Sequence, residues 1–397
     1  MKKAFLKLFI SALSALFCFA GIELAVRLLT TRNADGDLYF RMTRLKPYHL
    51  PANKVKTLID EYSSAIASAK VVYDPELGWV PQADRGGAND FGFFSANPHP
   101  GKTPESGCFR IALFGGSYTK GGANSGWWKV MEKQIAAYGM KAEVMNFGVG
   151  GYAMDQSYLR WKQFGVQYHP DLVVFGFAAS NSLDNINILR LLKEPFTEIP
   201  FTKPRFLLNG DSLKLTNSPT PAPDVLPQLI AASPTWPILQ QDYCYVPADY
   251  QARWWRTSRV LGLIEAKAEI LSNKKELRSF YKPEDEPARL ALKLVQQFKN
   301  EVELVGSKFL VIHLPAANEL SELRRSGSLP YAELYSSVQK SAPVIQPEQK
   351  MLEVIGKDNP LVFFNDGHYS EKLHETVGSV AASYITSHYS SKAAGGN

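Results

Sequence analysis

The strongest constraint on how this chain folds is a series of short, continuous apolar runs, each ending in glycine or a small polar residue. The runs are Phe109 to Leu113, Val144 to Phe147, Leu172 to Phe177 and Lys308 to His313. Runs without alternation are typical of strands buried on both faces of a parallel sheet. Helical segments between them, such as Trp127 to Tyr138 and Met154 to Gln163, give the βαβ rhythm of an α/β protein. The pattern predicts a three-layer α/β/α sandwich around a parallel sheet.

The first run leads directly into Phe114, Gly115, Gly116 and Ser117. Glycines allow a sharp turn from strand to helix, and ligands of open parallel sheets bind at this carboxyl end. A serine placed there can face a substrate, as in other nucleophile elbows. The same residues also make an ordinary helix N-cap, so this segment alone leaves both interpretations open.

Three later segments supply groups that a nucleophilic serine needs. A glycine loop follows the second run, and the amide of Gly151 can point into the same crevice. Asn181 follows the third run and places a side-chain donor at the end of a strand. Asp366 and His368 are two residues apart, which in an extended loop puts both side chains on one side.

These four segments, in this order, resemble the sequence blocks of the SGNH or GDSL hydrolase superfamily, in particular its membrane-anchored or exported members. The resemblance covers Arg110 to about Ile385. It implies an SGNH, flavodoxin-like fold and assigns a role to each candidate residue. Ser117 would be the nucleophile, His368 the general base and Asp366 its orienting partner, and the oxyanion hole would comprise the amides of Ser117 and Gly151 with the side chain of Asn181.

The chain departs from the superfamily pattern at three places. Gly116 precedes the serine and Ser182 follows the asparagine where relatives carry aspartate. The acid and base are spaced Asp-x-His, whereas many relatives have Asp-x-x-His, and Asn365 occupies the wider position. These departures keep open a catalytically inactive relative that binds glycan or acts as a scaffold.

A serine, an imidazole, a carboxylate and oxyanion donors together predict acyl transfer through an acyl-serine intermediate. The leading interpretation is an ester hydrolase acting on O-acyl groups of carbohydrate or cell-envelope substrates, or on a small ester. An O-acetyltransferase that modifies a polysaccharide is the alternative within the same chemistry. Two other histidines are expected to be structural: His374 in packing or capping of the last helix, and His313 satisfied at a strand end.

The first 30 residues are expected to lie outside the globular fold. Lys2, Lys3 and Lys7 precede an apolar run from Leu8 to Ile22 that extends to Arg27, which matches an export signal. We favour an uncleaved signal anchor or transmembrane helix over cleavage after Ala20. The resemblance and the signal-like start predict a membrane-anchored protein whose catalytic domain is exported, periplasmic or extracellular.

Composition narrows the remaining possibilities. A chain of 397 residues with 45% hydrophobic and 21% charged residues fits one large α/β domain. The net charge is +6, but lysine and arginine are spread along the chain, so nucleic-acid binding is not expected. Cys108 and Cys244 either pair or remain two buried thiols, and Cys18 lies in the apolar run. No histidine or cysteine cluster has ligand spacing, so we expect no metal and no cofactor.

Beyond the first 30 residues, the predicted organisation has three further parts. Residues 31–107 form an accessory extension in which Trp79 and Phe91 either line the crevice or cover the sheet edge. Residues 108–389 form the catalytic domain, with an insertion at about 196–284 after the third strand. Aromatic residues crowd this insertion and either stack on sugar rings or pack it onto the core. Residues 390–397 are expected to be a disordered tail.

Overall fold

The computed structural model describes residues 2–122, 126–233, 236–276 and 281–393. The strands are β1 (Thr30–Arg32), β2 (Leu38–Phe40), β3 (Thr43–Leu45), β4 (Val71–Asp74), β5 (Gly78–Pro81), β6 (Phe94–Ser95), β7 (Phe109–Phe114), β8 (Ala142–Asn146), β9 (Leu172–Phe177), β10 (Arg205–Asn209), β11 (Ser212–Thr216), β12 (Lys308–His313), β13 (Val344–Ile345), β14 (Phe364–Asn365) and β15 (His368–Tyr369). The helices are α1 (Lys2–Leu28), α2 (Ala52–Ser64), α3 (Ser117–Lys120), α4 (Trp127–Ala137), α5 (Met154–Arg160), α6 (Ser180–Asp184), α7 (Arg190–Lys193), α8 (Leu226–Ala231), α9 (Arg259–Glu276), α10 (Glu286–Leu304), α11 (Ala317–Ser326), α12 (Ala332–Ser341), α13 (Glu348–Ile355) and α14 (Glu371–Ala393).

The central sheet has six strands in the order β13-β12-β9-β7-β8-β6. All neighbouring pairs from β13 to β8 are parallel, and β6 joins β8 as an antiparallel edge strand from the N-terminal extension. The predicted parallel sheet is therefore confirmed, with one antiparallel strand added at its edge. Because parallel strands all end on the same side, the segments after β7, β8, β9 and β12 meet along one edge.

Side chains alternate between two hydrophobic clusters on opposite faces of the sheet. In β7, Ala112 and Phe114 join the cluster that contains α5, α10 and α12. Ile111 and Leu113 join the cluster that contains α4, α13 and α14. This alternation confirms the three-layer α/β/α sandwich and explains why the core strands contain no polar face.

The N-terminal extension packs against the end of β8. Trp79 of β5 is fully buried, and its indole Nε1 donates to the carbonyl oxygen of Gly150 at 3.1 Å. The Tyr152 hydroxyl donates back to the carbonyl oxygen of Trp79. Phe91 is 51% exposed, and the sheet edge is instead covered by β6. Trp79 therefore supports the glycine loop from behind.

Residues 196–284 contain the hairpin β10–β11 and the helices α8 and α9. The two strands of this hairpin are joined by the two-residue turn Gly210-Asp211, with Asn209 paired to Ser212. The aromatic residues of this region divide into two groups: Trp236 and Tyr245 are buried against α2 and α8, whereas Trp254 is 77% exposed. Packing therefore accounts for the first group only.

The first and the last described residues both belong to helices. Helix α1 contains a stretch, Phe5–Leu28, long and apolar enough to cross a membrane, and none of it is buried. Helix α14 extends to Ala393, past residue 390, where the sequence analysis expected a disordered tail to begin. The Tyr389 ring packs on Phe109, with centroids 5.9 Å apart, and holds this end of the helix. Residues 394–397 of the expected tail lie outside the described residues. Cys18, Cys108 and Cys244 are all free thiols.

Candidate active site

Ser117 begins helix α3, directly after the glycine turn that ends β7. Both glycines are required by close neighbours. A Cβ at Gly115 would lie 2.0 Å from Oγ1 of Thr119, and a Cβ at Gly116 would lie 2.9 Å from the Tyr152 carbonyl oxygen and 3.1 Å from Asn181 Nδ2. An aspartate before the serine, as in the superfamily pattern that the sequence resembles, would therefore have no space here.

The glycine loop after β8 is fixed to the serine turn by Asn146, a residue to which the sequence analysis gave no role. Its Oδ1 accepts from the amide of Gly148 at 2.8 Å, and its Nδ2 donates to the carbonyl oxygen of Thr119 at 2.9 Å. The amide of Val149 also donates to the carbonyl oxygen of Gly115 at 3.0 Å. These bonds hold the loop against α3, so the crevice wall at Gly151 is built from backbone.

Gly151 has a φ of +78°, the left-handed region that favours glycine. The guanidinium of Arg190, at the start of α7, packs over it, and Nη1 donates to the Gly151 carbonyl oxygen at 3.2 Å. Among the described residues Arg190 makes no ion pair. A positive charge therefore lies beside the loop, where it would favour a negatively charged oxygen. Sequence reasoning missed this residue because it lies 39 positions from Gly151.

Asn181 lies in α6, just after β9, and is half-buried. Its Nδ2 donates to the Tyr152 carbonyl oxygen at 2.6 Å, and the same side chain contacts the space beside Gly116. A carboxamide nitrogen carries two hydrogens, so one remains for a further acceptor. The structure thus brings Ser117, Gly151 and Asn181 to one place. Ser182, by contrast, is fully buried and its hydroxyl has no partner among the described residues.

Several hydrogen-bond donors beside the serine turn have no acceptor within the described part of the chain. There, the amides of Ser117 and Gly151 donate to no acceptor, and the Ser117 hydroxyl has no hydrogen bond. A helix N-terminus leaves its first amides free, and these groups favour negative charge. Two amides without acceptors and one spare amide hydrogen of Asn181 are groups of the kind that can form an oxyanion hole.

His368 and Asp366 lie on a tight hairpin rather than on the extended loop that the sequence analysis expected. Strand β14 pairs with β15 in a register that sets Asn365 opposite His368. Asp366 and Gly367 connect them with φ values of +50° and +79°. Two left-handed residues in a two-residue loop are typical of the Asp-Gly hairpin turn, which places Asp366 at the tip. Both Asp366 and His368 are exposed, and no hydrogen bond or ion pair joins them in the described structure.

Tyr118 connects this hairpin to the serine turn. Its hydroxyl donates to the carbonyl oxygen of Gly367 at 2.6 Å, and its ring centroid is 5.3 Å from that of His368. The buried Tyr369 also packs on the Tyr118 ring, and the Tyr369 hydroxyl donates to the carbonyl oxygen of Pro315. Burial, and secondarily the charge of Glu319, raises the pKa of Tyr118 to about 12, so it remains a donor. His368 therefore sits next to the residue that follows Ser117.

The two other candidate histidines are both engaged in the structure. His374 is buried, and its Nδ1 accepts from the amide of Trp127, so it caps α4 rather than its own helix. Burial, followed by the nearby His368, lowers the pKa of His374 to about 4. His313 is fully buried, with its ring nitrogens bonded to Glu348 and to the Tyr331 hydroxyl, both at 3.0 Å. Among the described residues, neither imidazole forms a hydrogen bond with the serine turn.

No group of three or more possible metal ligands occurs among the described residues. The candidate site offers a hydroxyl, an imidazole, a carboxylate and backbone and side-chain donors. Such a set can perform acyl transfer without further groups.

Comparisons with known proteins concern the fold alone. No family model matches the chain, and no curated protein matches it. Among solved structures, the chain is similar to a lipase/acylhydrolase from Enterococcus faecalis, at 15% identity over 70% of this chain and 96% of that one, with a TM-score of 0.34. It is also similar to an acetyl xylan esterase at 14% identity, 70% and 100% coverage and a TM-score of 0.39. An acetylxylan esterase from Geobacillus stearothermophilus gives 12% identity, 70% and 93% coverage and a TM-score of 0.39.

These similar structures carry the names of GDSL-type lipases, acylhydrolases and esterases. At these identities and TM-scores, the function of this chain is argued from its own residues.

Proposed function

We propose that this protein is a serine esterase that cleaves O-acyl esters through an acyl-serine intermediate. One observation supports this most strongly: the Asn181 side chain bridges the serine turn and the segment after Gly151, and the amides of Ser117 and Gly151 have no acceptor among the described residues. Negative charge develops on the carbonyl oxygen as an ester is attacked, and preorganised donors stabilise it there.

In the proposed mechanism the Ser117 hydroxyl attacks the ester carbonyl while His368 takes its proton. The tetrahedral oxyanion is held by the three donors, and its collapse expels the alcohol, which receives the proton from His368. Water then attacks the acyl-serine, again with His368 as base, and releases the acid. Asp366 acts as the carboxylate partner that favours the imidazolium, although it must turn toward His368 from the hairpin tip to bond it.

The substrate proposed is an O-acylated carbohydrate or cell-envelope polymer. Helix α1 is proposed to remain as a membrane anchor, with the catalytic domain on the exported side where such polymers occur. A polysaccharide hydroxyl could replace water as the acyl acceptor, which would make the protein an O-acetyltransferase. Product analysis with an acyl donor, with and without an acetyl-free polysaccharide, separates the two outcomes.

A fluorophosphonate probe tests the proposal directly. The probe reacts with a serine hydroxyl only when a base and an oxyanion hole activate it. We expect the full-length protein to be labelled, and Ser117→Ala to abolish labelling. Ser180→Ala, which removes an exposed hydroxyl one residue from Asn181, should be labelled like the natural protein.

A second candidate function has its own support. Asp366 does not bond His368, and Gly116 and Ser182 replace two aspartates of the superfamily pattern, so an inactive glycan-binding or scaffold protein is the alternative. A folded protein that the probe does not label, yet that binds an acylated polysaccharide, would establish that alternative and exclude the esterase.

A further inference from the structure

Helix α1 is attached to the globular domain by specific contacts. The Glu23 carboxylate accepts from the amides of Arg259 and Val260, at 2.8 and 3.0 Å, and from the Ser258 hydroxyl at 2.7 Å. Arg27 donates both to Glu23 and to the carbonyl oxygen of Thr257. Glu23 thus caps the N-terminus of α9, a position where a carboxylate is favoured. The end of α1 and the start of α9 form one fixed unit.

An apolar groove of about 700 Å³ opens beside this junction. Its walls come from α1, from the β2–β3 hairpin and from α9, and they include Ile22 and Val26 of the apolar span. Along α9, Ile264, Lys267, Ala268 and Leu271 follow helical spacing and form one exposed face. Ile264 and Leu271 are 59% and 66% exposed, so this face is apolar and uncovered.

The surroundings of the groove are basic. Arg32, Arg41, Arg253 and Lys267 form no ion pair among the described residues, and all four are exposed. Two acidic residues of α9 are paired: Glu265 with Arg256 and Glu269 with Lys46. The exposed Trp254 lies one turn from Thr257, next to the end of the anchor. Tryptophan and basic side chains are both enriched where proteins meet lipid headgroups.

We propose that the exposed face of α9 and its groove lie in the headgroup and upper acyl layer of the phospholipid bilayer that α1 spans. This inference rests on the membrane anchoring proposed above. Two groove residues, Ile22 and Val26, belong to the span itself, so acyl chains that surround α1 continue into the groove. The unpaired basic residues match anionic phospholipid headgroups, and an amphipathic helix lying in the interface buries its apolar face in this way. The globular domain is then seated on the membrane in a fixed orientation.

Depth measurements on the full-length protein in lipid nanodiscs test this seating. Phosphatidylcholine and phosphatidylglycerol discs are used, with Cys18, Cys108 and Cys244 replaced by serine and a nitroxide attached to one new cysteine. Leu271→Cys and, separately, Ile264→Cys report on the α9 face. Leu13→Cys reports on the span, and Leu304→Cys, at an 85% exposed site on α10, reports on a surface away from the groove. Collision with oxygen marks lipid, and collision with a water-soluble nickel chelate marks water.

We expect the labels at 271 and 264 to favour oxygen over nickel, as at Leu13, and the label at 304 to show the reverse order. Nickel-accessible labels at 271 and 264 together with a lipid-exposed label at 13 would overturn the seating while leaving the anchor in place. Labels shielded from both reagents would mean that a second copy of the chain covers the face, which also overturns it. A nickel-accessible label at 13 would instead refute the anchoring.

Discussion

The two halves of the candidate site are built very differently. The half proposed to stabilise the oxyanion, here called the anion-stabilising half, consists of Ser117, Gly151 and Asn181 on segments fixed to the sheet. Asn146 and Trp79 support its loop by hydrogen bonds. The half proposed to transfer protons, here called the proton-transfer half, is an exposed two-stranded hairpin that carries Asp366 and His368. The first half has little freedom to move, whereas the second depends on a few contacts made by tyrosines.

This difference indicates which half controls activity. A preorganised oxyanion hole costs no reorganisation during the reaction, so its contribution is present before substrate arrives. The general base must be within hydrogen-bond reach of the serine, and such bonds often tighten only when substrate binds. The hairpin that carries His368 is therefore the half in which substrate binding can complete the site.

Removing the base should have the largest effect. We expect His368→Ala to lower kcat for a small aryl ester by roughly 10⁴ to 10⁶-fold, because the serine loses its proton acceptor. Steady-state hydrolysis assays measure this, with His388→Ala, on the exposed end of α14, as the matched control. If His368→Ala retained near-natural kcat, the hairpin would not be the proton-transfer half at all.

Removing one anion-stabilising donor should have the next largest effect. We expect Asn181→Ala to lower kcat by roughly 10² to 10³-fold with a smaller change in KM, because the lost donor acts mainly in the transition state. Asn97→Ala removes an exposed carboxamide elsewhere and serves as control. A rise in KM at constant kcat would argue that Asn181 binds the ground state instead.

His374, which is buried behind the hairpin, should make the free energy of unfolding depend on pH in the acid range. The His374 pKa is lowered from 6.5 to about 4, so the unfolded chain binds this proton at higher pH than the folded protein does. The free energy of unfolding therefore falls as pH drops from 6.5 to 4, by about 3 kcal/mol in total. Urea unfolding at several pH values measures the loss.

The His374→Asn variant separates the contribution of His374 to this pH dependence from the contribution of carboxylates. We expect His374→Asn, which can keep an acceptor near the amide of Trp127, to lose less stability than the natural protein over the same pH range. His388→Asn should follow the natural protein. Parallel pH curves for all three proteins would show that His374 is not the group responsible.

The position of Ser117, Gly151 and Asn181 along one edge of the sheet was largely predictable from sequence, whereas their proposed role stays a prediction. Ser117, Gly151 and Asn181 each follow a continuous apolar run, and parallel strands bring their carboxyl ends to one edge. The three-layer order of the fold followed from the same runs. The supports of this half were only partly predictable. Trp79 was one candidate for the crevice wall, whereas Arg190 reaches the loop from a segment without a local signature.

The proton-transfer half was predicted less well, although one signal was present. Asp366-Gly367 lies between two short apolar pairs, and this dipeptide favours a two-residue hairpin turn. The sequence analysis instead treated the segment as extended, which placed Asp366 and His368 on one side. The contact that positions the hairpin, from Tyr118 to Gly367, joins residues 249 positions apart and leaves no trace in local patterns.

The smallest effect on kcat should come from removing the hydrogen bond between Tyr118 and Gly367. Tyr118→Phe keeps the ring against His368 but removes the hydrogen bond to the Gly367 carbonyl oxygen, a bond worth about 1 kcal/mol. We expect kcat to fall by about five- to tenfold, fluorophosphonate labelling to slow to a similar extent, and amide exchange in residues 364–369 to increase. Tyr138→Phe, on an exposed ring, should change none of these. Faster exchange with unchanged kcat would separate hairpin stability from catalysis, and would place the control of activity in the anion-stabilising half alone.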